Sequence, residues 1–577
     1  RNAGLHLWYV IRFDGDRTEA EVAEQLAQLG EVQKVSLNHT IKRAYDAKKK
    51  AKPLDLETLR AMALKTRAAD FPYNDQQLPA QWHLINHGDL FQKDGVSKSI
   101  AGADVQCEEA WDLSTGDPSI IVAILDEGVC LTHPDLKENL LVNEDEIENS
   151  NEDNDGNGYA GDRHGYNFVT GSGRITWDDA YDTGHGSHVA GVIAARNNNG
   201  EGISSIAGGT AEKPGVKIMS CQIFSGNTEP NALATVRAIK YAADNGAVIL
   251  QCSWGYTSGL ANGYEWQPAF TTEEQWAENR PLEQEALDYF VHNAGSPNGP
   301  IDGGLAIFAG GNETAPMAGF PGAAEMCIAV SATAADYTPA VYTNYGPGTT
   351  IAAPGGDQDY YYEYGEGADR GKTGSVLSAL PYTVSESGYG YMEGTSMACP
   401  HVSGVAALGL SYAFQLRKHF TAEEFKQLLY ETVTPIDQYM TGRKLYCRYT
   451  TDLGTVHPSQ MLLSDYHKQM GAGQVNATKL LNAINGKGTQ VKFPNLYVPL
   501  NGNVTVTPGN YFIGGEQLTY TVTIDDTTVA TATAEGNKLV VKGTKAGATT
   551  AKIATSNGET QTFRITVRKG ANGNGWL

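Results

Sequence analysis

The sequence predicts an α/β protein: a parallel sheet covered by helices on both faces, preceded by a small α/β unit and followed by a β-sandwich. Three observations predict it. Between about 75 and 485, apolar runs such as "IIVAILD", "VKIMSCQIF", "AVILQCSWG", "LAIFAGGN" and "MCIAVSAT" alternate with helical stretches such as "PNALATVRAIKYAADNG" and "TAEEFKQLLYETVT". Strands that are apolar without alternation are buried on both faces, as in a parallel sheet sandwiched by helices. Before that region, residues 5 to 44 read strand, helix, strand, with Val22, Leu26 and Leu29 at helical spacing between two β-rich runs. After it, "LTYTVTI", "VATATA", "KLVVKG", "TTAKIAT" and "TFRITV" are Thr/Val strands broken by Gly, Asn and Asp, the pattern of a separate sandwich.

These elements divide the chain into an α/β unit over 1–46, a connector over 47–74, a main domain over 75–485 and a sandwich over 490–570. The connector, "AYDAKKKAKPLDLETLRAMALKTRAAD" with its flanks, is basic and poor in aromatics, so it reads as exposed and open to proteolysis. A length of 577 residues suits several domains. With 43 Lys and Arg against 66 Asp and Glu, the net charge of −23 argues against a nucleic-acid partner. No apolar run approaches the roughly 18 residues of a membrane span. Seven scattered cysteines without a CxxC pair form neither a disulfide framework nor a zinc site, and read as buried apolar thiols.

The stretch "GTSMACPHVSG" (394–404) holds a serine, a cysteine and a histidine. On a helix starting near Thr395, His401 lies five residues past Ser396, about 140° around the axis and more than a turn further on, so it does not serve that serine. Cys399 sits among Met397, Ala398, Val402 and Val405, where apolar surroundings raise a thiol pKa. Ser396 is different. A glycine permits its sharp approach, and its N–H lies at a helix N-terminus, where orphan donors and the dipole favour an oxyanion. A capping role explains "GTS" equally well in isolation.

Partners stand upstream. Asp126 ends the strand "VAILD", at the carboxyl edge where open α/β sheets place their sites. In "DTGHGSHVAGVIAA", glycines flank His185 on a tight turn, while His188 points into the helix as a core residue. The strand "LAIFA" runs into Gly310, Gly311 and Asn312, whose amide is a candidate second oxyanion donor.

"ILDEGV", "GHGSHVAG", "AGGNE" and "GTSMACPHVSG", in the order Asp, His, Asn, Ser, closely resemble the signature segments of the subtilisin-like serine peptidases, over roughly 75–485. The resemblance implies Ser396 as nucleophile, His185 as general base and then acid, Asp126 as the carboxylate that orients it, and Asn312 with the Ser396 N–H as oxyanion hole. It further implies a substrate-pairing wall at Ser253, Trp254 and Gly255, a second wall at Gly311, and a pocket floor in which Gly319 leaves room for a large side chain. An insertion over about 256–300 complicates specificity, because Glu265 or Glu274 entering the pocket would favour basic residues, as in a kexin-like enzyme, over large apolar ones.

The loop "NEDNDGNGYAGD" (151–162) places oxygens at Asp153, Asp155, Asn157 and the Tyr159 carbonyl, with glycines that let it curl. His164 stands where an EF-hand has its bidentate Glu, so Asp162 is the substitute ligand; a plain polar turn accounts for the same residues. Similar loops in subtilisin-like proteins bind Ca2+, and no organic cofactor is implied. Asp135 with the "NNNGEG" loop (197–202) is a weaker second candidate.

The amino-terminal unit resembles the later half of the family's inhibitory propeptide, with "LNHTIKRAY" ending in the active-site groove. That implies a zymogen with its own propeptide as inhibitor, severed in the connector to leave a mature start near Tyr73. Protein or peptide substrates, a monomer, and an extracytoplasmic location, secreted or held at the surface with a lipid anchor included, complete the expectation. The rival class is an inactive fold presenting its carboxy-terminal module, which resembles bacterial immunoglobulin-like domains, to a surface or glycan.

Overall fold

A computed structural model describes residues 5–38, 51–65, 71–90, 99–226, 228, 231–358, 374–450 and 455–569. The chain divides into two compact units, one of Arg1–Gly295, Gly303–Ser411 and Ala422–Ala483, the other of Ser296–Asp302, Tyr412–Thr421 and Ile484–Leu577.

The first unit begins differently from the expectation. Among the described residues 5–38, the strand–helix–strand reading reduces to one helix, α1 (Glu19–Ala27), closed at its start by a reciprocal capping box between Thr18 and Glu21. "LWYVIRF" forms no strand: Tyr9 is 81% exposed, and Val10 and Ile11 are exposed with it. High β-propensity needs a neighbouring edge to pair with, and among the described residues this segment pairs with none.

The connector expectation also fails over its middle part. Lys52–Pro53 forms β1, which pairs antiparallel with a later strand, and Ala51, Leu54 and Thr58 are buried. Asp55 then caps α2 (Leu56–Lys65) by accepting the Thr58 N–H and hydroxyl. Residues 39–50 and 66–70, which include the groove-end segment, most of the basic run and Arg67, lie outside the described residues.

The centre of this unit is a seven-stranded parallel sheet. Its strands are β2 (Ile121–Glu127), β3 (Gly165–Asn167), β4 (Lys217–Phe224) and β5 (Ile249–Cys252) and, after the two-residue β6 (Ile301–Asp302) of the second unit, β7 (Leu305–Ala309), β8 (Ile328–Thr333) and β9 (Ile351–Pro354). The spatial order is β3-β4-β2-β5-β7-β8-β9. Ala123 and Leu125 of β2 join one core with helices α4 (Ala232–Asp244) and α6 (Pro281–Asn293). Val122 and Ile124 point the other way by alternation and are equally buried, so both faces are covered. Helix α3 (His185–Ala194) lies against β2 and against β10 (Val376–Ala379), which pairs with β11 (Tyr389–Met392), the partner of β1. Because the chain places β3 and β4 on one side of β2 and the later strands on the other, β2 marks the switch point, and its carboxyl end is where such a sheet builds a site.

Helix α7 (Thr395–Gln415) runs through the core with Pro400 inside it. By length and composition it would span a bilayer, which the run-length reading of the sequence missed, but 94% of its apolar window is buried inside the protein.

The second unit is a sandwich. Strands Leu496–Pro499, Tyr520–Ile524, Gly547–Thr555 and Thr560–Arg568 form one sheet, Asn503–Val506, Ala530–Glu535 and Lys538–Gly543 the other, and Val498, Phe512, Leu539, Val541, Ile553 and Ile565 fill the space between them. The main-domain boundary of 75–485 is corrected here: Lys418–Thr421 pairs with β6 and with Thr489–Gln490, so these segments belong to this unit.

Buried histidines set an acid limit on stability. Burial holds His188 at about 3 and His401 at about 4, both well below an ordinary imidazole. Their folded pKa values are depressed, so the unfolded chain binds more protons below about 6.5, and stability is lost as pH falls from there toward 4. In thermal melts, each such histidine should therefore add an acid-side slope of up to about 1.4 kcal/mol per unit between pH 6.5 and 4, against the opposite slope of the buried carboxyls of Asp75, Asp104, Asp135 and Asp182, which burial raises to about 6 or 7. His188→Asn should flatten that slope even where it lowers the plateau; an unchanged slope would show that His188 does not contribute.

Candidate active site

The site is assembled at the carboxyl edge of the sheet. Asp126 is the last but one residue of β2, and both of its oxygens accept from His185 Nδ1, at 2.8 and 2.9 Å. Both side chains are buried. A carboxylate only accepts, so the imidazole proton sits on Nδ1 and the neutral ring presents its lone pair at Nε2. His185 opens α3 from a turn whose Gly184 has φ +79°, and a Cβ at Gly186 would fall 2.1 Å from the Glu127 carbonyl, which is why glycines flank the histidine.

Ser396 lies in the first turn of α7. Its carbonyl accepts the Ser253 hydroxyl at 2.7 Å, and its own Oγ lies 3.4 Å from the Ser253 carbonyl. Asn312 is oriented by Thr395, whose N–H and Oγ1 both donate to its Oδ1 at 2.9 Å. A point at the position of a Gly394 Cβ would lie 3.5 Å from the Ser396 N and 3.7 and 3.8 Å from Asn312 Nδ2 and Oδ1, so the serine N and the Asn312 amide border one place.

The excluded neighbours behave as wall material. The Cys399 thiol is fully buried and pushed up to about 12 by that burial. His401 is spent between the Met397 carbonyl and His83 Nδ1, and His188 bonds the Val376 and Gly390 carbonyls.

The substrate walls differ in detail from the expectation. The Trp254 side chain is fully buried edge-on to Phe308 at 5.3 Å, so only its backbone is placed to form a wall. Gly319 is small because a Cβ there would meet the Tyr256 carbonyl at 2.3 Å; its smallness serves the contact between the two walls. Gly311, at φ +109°, is likewise required by Asn344, 2.2 Å from where its Cβ would stand. The two acids expected from the insertion, Glu265 and Glu274, are exposed, Glu274 in the first turn of α5 (Glu273–Asn279). The buried acid is Glu283, which accepts from the Tyr256 hydroxyl and Trp276 Nε1, both at 2.9 Å. Burial raises its pKa.

Two residues packed against the Asp126, His185 and Ser396 turns were not found from the sequence. Gln251, fully buried beneath the serine, donates to Ser253 Oγ at 2.8 Å and accepts from Ser403 Oγ, so it fixes the hydroxyl that holds Ser396. Glu127 is the other, and only its adjacency to Asp126 marks it in the sequence.

At the acidic loop, Asp155 and Asp162 come together with Glu146, which the sequence reading omitted; their oxygens lie within 4.8 Å of one another. Asp153 turns inward instead, accepting the N–H groups of Gly156, Asn157 and Gly158. Asn157 bridges Asp155 and Asp162 through Nδ2, while its Oδ1 takes the Tyr159 N–H. Burial, and then the charges of Asp155 and Glu146, raise the Asp162 pKa. In the second candidate, Asp135 already accepts from Asn199, Ile203 N–H and Tyr389, and burial pushes it up to about 7. It reads as a hydrogen-bond hub.

A parallel-sheet scaffold that brings an acid–imidazole pair and a helix-N-terminal serine to one edge belongs to the serine hydrolases as a class. The family model described as the Subtilase family matches residues 117–462, more than half of the sequence, and the chain belongs to that family. Among curated relatives, it is 28% identical over 347 residues to the thermophilic serine proteinase of Bacillus sp. (strain AK1), covering 59% of this chain and 62% of that protein. It is 28% identical over 312 residues to thermitase of Thermoactinomyces vulgaris, covering 54% and 82%, and 27% identical over 364 residues to an extracellular protease of Xanthomonas campestris, covering 59% and 50%. The chain spans about half to two thirds of the length of the first curated relatives it matches. The solved serine protease of Aeromonas sobria with its chaperone shares the fold at TM-score 0.50 and 16% identity, over 86% of this chain and 92% of that one.

Proposed function

We propose that this chain is a serine endopeptidase that hydrolyses proteins through an acyl-enzyme. The observation that carries the reading is the buried Asp126–His185 pair at the sheet edge where the Ser396 N and the Asn312 amide border one place. In this reading His185 Nε2 takes the Ser396 proton as Oγ attacks the scissile carbonyl, and Asp126 stabilises the imidazolium that results. The two N–H donors receive the oxyanion. His185 then protonates the leaving amine, and the cycle repeats with water. Relatives named as extracellular proteases support an extracytoplasmic location. Exposed Glu265 and Glu274, with Glu283 held by Tyr256 and Trp276, support large apolar residues over basic ones at the primary pocket.

Ser396→Ala, His185→Ala and Asp126→Ala should each reduce hydrolysis of a peptide library to the residual rate of about 10³- to 10⁴-fold over water that binding and the oxyanion donors leave, with melting intact, because the three act as one unit. Asn312→Ala should lower kcat by about 10²- to 10³-fold with little change in KM, the cost known for this donor in subtilisin. Hydrolysis near the parental rate in Ser396→Ala, or a library profile led by Lys and Arg, would refute the respective parts of the reading.

The acidic loop fits calcium. Its donors are hard oxygens, and a cation among Glu146, Asp155 and Asp162 would offset the burial and the mutual repulsion that together raise Asp162. Its contribution is structural, tying the loop to the Tyr241 hydroxyl on α4 through Asp162. Calcium should raise the melting temperature over chelator, since it binds only the folded form. Glu146→Gln should remove most of that shift; an equal shift in the variant would place the ion elsewhere.

The amino-terminal segment supports a latent precursor. Trp8 Nε1 and Lys34 Nζ both bond Glu285 on α6, and the Asn38 side chain accepts the Leu233 N–H in the first turn of α4. Because Ala51–Thr58 is built into the first unit, the activating cut belongs upstream of Ala51, leaving β1 in place. Tethering keeps the inhibitor at high effective concentration. Glu285→Ala should raise the activity of a precursor nicked before Ala51 above that of the nicked parent; equal activity would mean that this docking does not inhibit.

A further inference from the structure

We propose that Glu127 is a positioning residue for the general base, holding the backbone of His185 while Asp126 holds its ring; this rests on the peptidase reading above. Adjacent residues on a strand point to opposite faces. At the end of β2 the ladder is irregular: Asp126 stands opposite Gln222 and Glu127 opposite Phe224, skipping Ile223. Both carboxylates thereby reach the same turn.

Glu127 is 1% exposed. Its Oε2 accepts the Thr183 N–H at 3.0 Å and the His185 N–H at 3.1 Å, and the Thr183 hydroxyl lies 3.2 Å from both of its oxygens. The turn has no cap of its own. Gly184 stands at the N-cap position of α3 and offers no side chain. Glu127 therefore supplies the cap from a neighbouring strand, and its charge opposes the positive end of the helix. The same charge, after burial, raises Asp182 on the approach to the turn to about 6.

The chemical consequence follows from the geometry of the ring. With Nδ1 fixed on Asp126, the position of Nε2 relative to Ser396 is set by where the His185 backbone stands, and Glu127 is the group that fixes it. An isosteric Glu127→Gln replaces one acceptor oxygen with a donor facing N–H and O–H groups, so the turn shifts while the volume is unchanged. A displacement of this kind, remote from the bond being broken, costs about 10- to 100-fold in rate.

The test is a double-mutant cycle on peptide hydrolysis. Glu127→Gln should lower kcat about 10- to 100-fold with KM within about twofold, and Thr183→Ala, which removes one of the donors, should lower kcat by less. In a His185→Ala background, Glu127→Gln should change the residual rate no further, because it acts only through that imidazole. A parental rate that does not depend on Ser396 refutes the peptidase reading itself. A Ser396-dependent rate that Glu127→Gln leaves unchanged, or a loss that persists in the His185→Ala background, overturns the positioning role alone. If Glu127→Gln fails to fold, Thr183→Ala in the same cycle decides the question by the same two outcomes.

Discussion

The buried hydrogen bond between Asp126 and His185 is the constraint around which the first unit is organised. A carboxylate and an imidazole are both costly to bury, and they are tolerated because each satisfies the other. The pair requires β2 to end where α3 begins, which places glycines at 184 and 186 and a ladder irregularity at Asp126. It also fixes the tautomer, so the lone pair at Nε2 is a consequence of the fold.

The serine side of the site depends on a second set of buried polar bonds. Gln251, Ser253 and Ser403 link β5 to α7, and Thr395 links α7 to Asn312 after β7. Three neighbouring strands thus fix His185, Ser396 and Asn312, the proposed base, nucleophile and oxyanion donor, to one edge. The insertion behind the substrate wall is stabilised in the same manner, with Glu283 joining Tyr256 to Trp276 and Arg280 lying over the Tyr256 ring. Rigid elements hold such a constellation more closely than loops do.

The four residues of the proposed machinery were legible because each carries a local signal: Asp126 ends an apolar strand, His185 and Ser396 follow glycines at helix starts, and Asn312 follows a Gly pair. The parallel sheet and the sandwich were legible from periodicity for the same reason. Glu146, Glu127, Gln251 and Glu283 were not, because their meaning lies in partners that are distant in sequence; Glu127 bonds residues 56 and 58 positions away. The expected strand over 5–11 failed since propensity records what a backbone tolerates and says nothing of whether an edge is available. Lys52–Pro53 reversed the case: a polar, basic stretch became a strand because β11 offered an edge.

The central claim is that Ser396 is made nucleophilic by an imidazole held on Asp126. A fluorophosphonate tests it most directly, because it phosphonylates only an activated hydroxyl, and intact mass with peptide mapping locates the adduct. The account predicts one adduct per chain, on Ser396, in protein freed of its amino-terminal segment, and none in His185→Ala. Labelling at another residue, or equal labelling of Ser396 without His185, would contradict it.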